Sequence, residues 1–197
     1  MSKNVLIING HQRYEGNAEG NLTRTIIEAQ NEFLKKNGFD VKNSVVESNY
    51  DIKDEISKFD WADYIVLQYP VFWMGVPWIT KKYIDEIFSA GGGSVTFVND
   101  GRSREDSSKK YGSGGLMKDK KYMLSLTYNC PESEFDNKDG FFDGLSLDEA
   151  NVAIHKTFQF CGAKALKTYV MHDVFKGDLD IDDELKKLNK ILSDNFN

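Results

Sequence analysis

Nine consecutive residues, Pro70-Val71-Phe72-Trp73-Met74-Gly75-Val76-Pro77-Trp78, hold two tryptophans, a phenylalanine and a methionine directly after an apolar run. Water is a costly neighbour for such a cluster, so another part of the chain, a second subunit or a flat ring must cover it. Backbone amides beside aromatic side chains can bond the polar edge of a ring and stack on its face. An isoalloxazine is a ring of that kind. Ordinary core or dimer packing is the plainer reading, and it suits Trp78 and Met74 in particular.

A second stretch, Asn9 to Thr23, runs from the end of an apolar segment into a helical pattern. The helix starts near Asn21 to Thr23, so its free N–H groups and positive dipole end face anything bound in the loop. Gly20, Asn21, Leu22 and Thr23 are therefore candidates for holding a pyrophosphate, with His11 beside it; a capped helix after a long turn is the bland alternative. The loop matches neither G-x-G-x-x-G nor G-x-x-x-x-G-K-[ST], which argues against a dinucleotide-binding Rossmann domain and a P-loop NTPase. It also lacks the compact hydroxyl-rich phosphate loop of small FMN-carrying flavodoxins, and its length suits a longer cofactor.

The third stretch is Thr127-Tyr128-Asn129-Cys130-Pro131, where Thr127 and Asn129 can contact a ring's polar edge and Tyr128 can flank it. A simple turn is the competing reading. Neither Cys130 nor Cys161 opens a Cys-x5-Arg phosphatase loop, because Asp136 and Lys167 stand at the required places. The segment from Gly101 to Gly115 carries Arg102, Arg104, Lys109, Lys110 and Tyr111 and reads as a mobile loop able to close over a nicotinamide cofactor. A solvated charged face is the commoner fate of such a run. His155 and His172 read as structural, and with His11 they offer no metal-ligand spacing.

These loops need a scaffold that brings them together. Short β-branched runs alternate with segments of helical period, which argues for βαβ units and a parallel sheet. The pattern predicts strands over 4–8, 39–46, 64–69, 121–126 and 166–170, with a weaker one over 95–98. Helices are expected from Leu22 to Leu34 and over 52–59, 78–88, 147–160 and 182–192. Asn37-Gly38 supplies a left-handed stop to the first helix, and Pro77 sits near the first turn of the third. The expected fold is one flavodoxin-like α/β domain over 1–197, a doubly wound five-stranded parallel sheet of order 2-1-3-4-5 with helices on both faces. Ligands in such folds bind outside the carboxyl ends of the strands, and the three stretches above are the turns found there.

Composition narrows the function further. The 197 residues are 40% hydrophobic and 28% charged, as in a globular protein. A formal charge of −6 opposes nucleic-acid binding. Two cysteines make no disulfide framework. No apolar run is long enough for a bilayer span, and the start carries no signal-like segment, so the expectation is a cytoplasmic protein.

At its loops the chain resembles the modulator of drug activity B family, the FAD-dependent NADPH:quinone reductases. The pieces that carry the likeness are Val5 to Gly10, Pro70 to Trp78, Lys81 to Asp85, Asp100 to Arg102, Lys109 to Leu116 and Lys121 to Asn129, spread over nearly the whole chain. The resemblance implies a homodimer with FAD at the subunit interface. It places FAD contacts on 18–25, including Ala18, Gly20, Asn21, Leu22, Thr23 and Thr25, on Val71, Phe72, Trp73 and Met74, on Tyr111, and on Thr127, Tyr128, Asn129 and Cys130. Two departures stand out: Ala18-Glu19 where the family has Ser-Asn, and Val71-Phe72 where Gly-Trp is usual. The expected activity is two-electron reduction of a quinone in a ping-pong cycle, with NADPH or NADH as donor and Tyr128 and Tyr111 as catalytic residues lining the shared site, a tyrosine hydroxyl or water assisting protonation. Thr127 and Asn129 would polarise the flavin. Rival readings are an azo- or nitro-compound reductase on the same site, and a flavin-binding redox sensor or electron carrier working through a partner protein.

Overall fold

The computed structural model describes residues 3–176 and 179–196. Its sheet is built from β1 (Asn4–Asn9), β2 (Asp40–Val45), β3 (Tyr64–Pro70), β4 (Lys121–Thr127), β5 (Lys164–Ala165) and β6 (Tyr169–Met171). All pairings are parallel and the order is β2-β1-β3-β4, with β5 and β6 both lying against β4. This is the flavodoxin-like order anticipated above, its outer strand divided in two. The helices are α1 (Asn21–Lys36), α2 (Ile52–Trp61), α3 (Trp78–Ala90), α4 (Leu147–Ala150), α5 (Val152–Phe160) and α6 (Ile181–Asn195).

Alternation along the strands explains the layers. Val5 and Ile7 of β1 join Val66 and Met123 in a core with Ile26 and Leu34 of α1 and Leu188 and Leu192 of α6. Leu6 and Ile8 face the other way and pack with Leu67, Leu124, Phe59 of α2, Tyr83 and Ile87 of α3 and Phe158 of α5. Each such aliphatic side chain contributes about 1.5–3 kcal/mol by leaving water, which is why both faces of the sheet are apolar and both are covered.

Three expectations need correction. The segment 95–98 is a turn rather than a strand, with only Phe97 bridging to Gly115. Its backbone is committed elsewhere: the Val95 and Thr96 amides both donate to the Gly91 carbonyl, and the Gly93 amide donates to Phe97. The helix expected over 147–160 breaks at Asn151, whose side-chain amide donates to the Leu147 carbonyl at 2.9 Å and to the Tyr128 hydroxyl at 3.0 Å. The strand expected over 166–170 is the broken pair β5 and β6, with 166–168 outside the ladder. The loop around Tyr111 is tied at its base, where Val98 donates to Gly114 (2.9 Å) and Gly112 to Asp100 (2.7 Å), while most of 102–110 is exposed.

A chain of side-chain hydrogen bonds fixes α5 to β4. The Tyr122 hydroxyl donates to His155 Nδ1 at 2.8 Å, His155 Nε2–H donates to Asp148 Oδ1 at 3.2 Å, and Thr168 adds a second donor to that carboxylate at 2.7 Å. His155 chiefly, with Thr168 assisting, holds the Asp148 carboxyl below its ordinary range against the opposing effect of burial. A carboxylate depressed in the folded state stabilises the fold above its unfolded value of about 3.9, and that contribution disappears as pH falls through the folded value. Asp148 is 59% exposed, so screening keeps the gain small. Asp148→Asn should cost about 0.5–1 kcal/mol at neutral pH and nothing in strong acid. Urea melts of both proteins across that range test it, and a difference that persists below pH about 2 would refute the assignment.

Candidate functional site

The strand register puts the three loops side by side. Asn9 pairs with Gln68, and Pro70 pairs with Thr127, so the loops after β1, β3 and β4 leave the sheet at one edge. Thr127 also pairs with Met171, which adds the segment after β6. Together they enclose a cleft of about 580 Å³ lined by His11, Asn17 to Thr23, Pro70 to Trp73, Thr127, Asn129, Val174 and Phe175.

The wall made by the first loop is shaped for an anion. Gly20 precedes α1 at φ 79°, gives no side-chain cap, and the first turn holds no acid. By contrast α2 and α6 are capped by Asp51 and Asp180. The first amides of α1 thus carry neither an intrahelical partner nor a side-chain cap, and they sit at the positive end of the helix dipole. His11 is buried beside them, its Nε2–H donating to the Ala18 carbonyl at 2.9 Å and its Nδ1 facing the Thr23 hydroxyl at 3.4 Å. One negative group lines this wall, Glu19, but the Gly16 amide (2.7 Å) and Arg13 Nε (2.6 Å) hold its carboxylate and keep its pKa below the usual range. A methyl built on Gly20 would sit 3.0 Å from the His11 ring, so the cradle requires a residue without a side chain. These features fit a phosphate group.

The aromatic wall is held by a two-residue hairpin. Phe72 and Gly75 exchange backbone hydrogen bonds of 2.9 and 3.1 Å, with Trp73 at φ 48° and Met74 at φ 66° between them. Positive φ at both central positions is the geometry that asparagine and glycine usually fill, and a tryptophan and a methionine there cost roughly 1 kcal/mol or more each. The turn leaves Trp73 97% exposed at the rim of the cleft. Tyr14 of the first loop packs edge-on against Phe72 at 5.5 Å and braces it. The Val71 amide donates to the Thr127 carbonyl at 2.9 Å, locking the loop after β3 to the loop after β4.

Eleven of the residues expected at the site line this one cleft: His11, Ala18, Gly20, Asn21, Leu22, Thr23, Val71, Phe72, Trp73, Thr127 and Asn129. Five others stand elsewhere. Thr25 points its hydroxyl at the Asn21 carbonyl one turn into α1. Met74 lines a neighbouring groove of about 430 Å³ between α3 and α5. Tyr128 is 3% exposed, its hydroxyl bonded by Asn151 in the core layer opposite α1, and burial raises its phenol above the ordinary value despite that bond. Cys130 is only partly buried, and its carbonyl accepts from His172 Nδ1 at 2.9 Å. Tyr111, 70% exposed, lies against Phe160 and under the Arg102 guanidinium at the far end of the α3–α5 face. Arg102 is itself paired to Asp100 at 2.5 Å, so it is not a free cation.

Sequence reasoning missed Val174 and Phe175. The Asn129 side chain receives the Phe175 amide at 3.2 Å and the Tyr128 carbonyl receives the Val174 amide at 3.1 Å, which seats both beside the loop after β4. The signal was available, since they follow the last strand just as the other loops follow theirs.

A parallel sheet in this order, with a bare helix N-terminus and an aromatic turn at its carboxyl edge, defines a flavodoxin-like protein. The chain belongs to the flavodoxin-like fold family, whose model matches residues 3–192, and within it to the modulator of drug activity B group. The NADPH:quinone oxidoreductase MdaB of Haemophilus influenzae is 38% identical over 173 residues, 88% of this chain and 89% of that protein. An uncharacterized protein of Schizosaccharomyces pombe is 39% identical over 172 residues, 87% of each chain. Among solved structures, the NAD(P)H:quinone oxidoreductase from Methanothermobacter marburgensis superposes with a TM-score of 0.71 over 100% of both chains at 14% identity, a likeness of fold. Among the described residues no helix is long and apolar enough to cross a membrane.

Proposed function

We propose that this protein is a flavin-dependent NAD(P)H:quinone oxidoreductase with FAD as its cofactor. The observation that carries the reading is the meeting, in one cleft, of an uncapped helix N-terminus with an aromatic turn whose backbone is bonded to the neighbouring loop. The resemblance to a named NADPH:quinone oxidoreductase over most of both chains supports it. Bound FAD would supply two-electron chemistry between NAD(P)H and a quinone.

The chain's own part is to bind, orient and shield. The amides of 20–23 and His11 would hold the pyrophosphate, while Val71 to Trp73, Thr127 and Asn129 would hold the ring. Tyr128 we assign to positioning the loop after β4, because its hydroxyl is engaged in the core and burial raises its phenol above the ordinary value. Trp73, Met74, Trp78 and Tyr111 are all exposed, and the last three border two adjoining grooves on the α3–α5 face. A second copy covering that face would remove this surface from water and could bring its Tyr111 to the partner's cleft, so we propose a homodimer with a shared site.

The deciding experiment is to purify the protein, record its visible spectrum and identify any flavin released on denaturation. NADPH should bleach the colour under nitrogen and menadione restore it, and varying both substrates should give parallel double-reciprocal lines. A folded preparation that is colourless and takes up neither FAD nor FMN would overturn the reading. Intersecting lines would remove the ping-pong cycle alone.

A further inference from the structure

Between α1 and the sheet lies a polar cluster that the cofactor site does not include. Gln30 of α1, Gln68 of β3 and Ser125 of β4 are each 0% exposed. Gln68 and Ser125 are register partners, two residues before Pro70 and Thr127, where the chain enters the cleft. Gln30 Nε2–H donates to Ser125 Oγ at 2.9 Å, and the Ser125 hydroxyl donates to Gln68 Oε1 at 2.5 Å. Gln30 Oε1 and Gln68 Nε2 are buried with no partner among the described residues. Exchanging O and N of an amide only moves the shortfall, since two hydrogen bonds reach three of the five polar atoms. Leaving a buried acceptor and a buried donor bare is costly, and native interiors satisfy such groups. One guest that accepts from an amide N–H while donating to an amide oxygen meets both needs, and water does this.

We propose that Gln30, Ser125 and Gln68 form a hydrated clamp that sets where α1 stands against β3 and β4, making them positioning residues for the cofactor. The placement gives the reason. The N-terminus of α1 forms the anion cradle, while β3 and β4 end in the ring-facing loops, and this cluster is the polar link between them. Apolar packing alone lets a helix settle by small slides and rotations, whereas directional hydrogen bonds define one position. The positioning role rests on the flavin reading above; the hydration does not.

Methionine matches glutamine closely in shape, so the variant Gln30→Met/Ser125→Ala/Gln68→Met removes the polar atoms with little change in packing. Replacing every member of a buried polar group by apolar neighbours is close to neutral or stabilising. The expected result is therefore a thermal midpoint at or above that of the parent protein, together with an FAD dissociation constant raised roughly fivefold or more. A merely structural cluster would move the midpoint and the affinity together. Unchanged FAD affinity in the folded variant overturns the positioning role. Should the triple variant fail to fold, Ser125→Ala titrated with FAD decides the same point. Independently, a high-resolution crystal structure should show one water within hydrogen-bonding reach of Gln30 and Gln68, and empty density there overturns the hydration. A parent protein that binds no flavin defeats the flavin reading and the positioning role with it, leaving the water density to decide the hydration alone.

Discussion

Gly20→Val should fold and lose flavin affinity by about two orders of magnitude, equivalent to roughly 2.7 kcal/mol. Two effects act together. Gly20 holds φ 79°, a conformation that a β-branched residue adopts only under strain. A carbon at its Cβ position also meets His11 Cδ2 at 3.0 Å, His11 Nε2 at 3.1 Å and the Arg24 guanidinium at 3.3 Å. Arg24 is flexible and can give way. His11 cannot do so easily, because it is buried and its Nε2–H is bonded to the Ala18 carbonyl within the same wall. The added side chain therefore displaces the wall, fills the cradle, or both. Gly16→Ala is the matching control: Gly16 has φ 71°, meets nothing within 4 Å and lies outside the cleft lining. Its strain should lower stability and leave affinity in place. Fluorescence titration of FAD against the two variants separates the outcomes, and equal affinities would count against the phosphate cradle.

The largest loss of stability should come from Gly115→Ala, far from the cleft. There the loop carrying Tyr111 returns to the body of the protein, and a methyl group would lie 2.2 Å from the Cys161 carbonyl carbon, 2.3 Å from its oxygen and 2.4 Å from the Gly162 nitrogen. All three are backbone atoms, so no side chain can swing aside. The same carbonyl accepts the Met117 amide at 2.8 Å, which ties the loop to the end of α5, and the approach must open for the methyl to fit. Overpacking of this severity costs about 3 kcal/mol or more, which for a chain of this size lowers the melting midpoint by roughly 6–12 °C. Gly112→Ala, at φ 83° with nothing within 4 Å, should cost far less. Thermal melts followed by circular dichroism test the pair, and similar midpoints would show that the loop does not dock here as described.

Much of the fold was legible because burial writes itself into residue type. The largely apolar runs of β1, β3 and β4 have the length and composition of strands covered on both faces, and the helices between them favour parallel connections. From strand order it follows which turns meet at the carboxyl edge, and eleven of the nominated residues do line one cleft there. The segment over 95–98 misled because valines and a phenylalanine favour strands only when a neighbouring strand offers hydrogen bonds. Here the preceding glycine turn takes those amides first. The broken helix at Asn151 misled for a related reason, since its side chain bonds a carbonyl four residues back and a tyrosine from another element.

By itself, then, the sequence determined the layers through local apolar periodicity, and the general rules for connecting parallel strands then gave the strand order and the edge where the cleft lies. Only the tertiary structure decided which face each loop side chain takes. It turned the Tyr128 hydroxyl into the core and sent Tyr111 to the α3–α5 face. Those outcomes depend on hydrogen bonds and contacts between residues tens of positions apart, and no spacing along the chain encodes them.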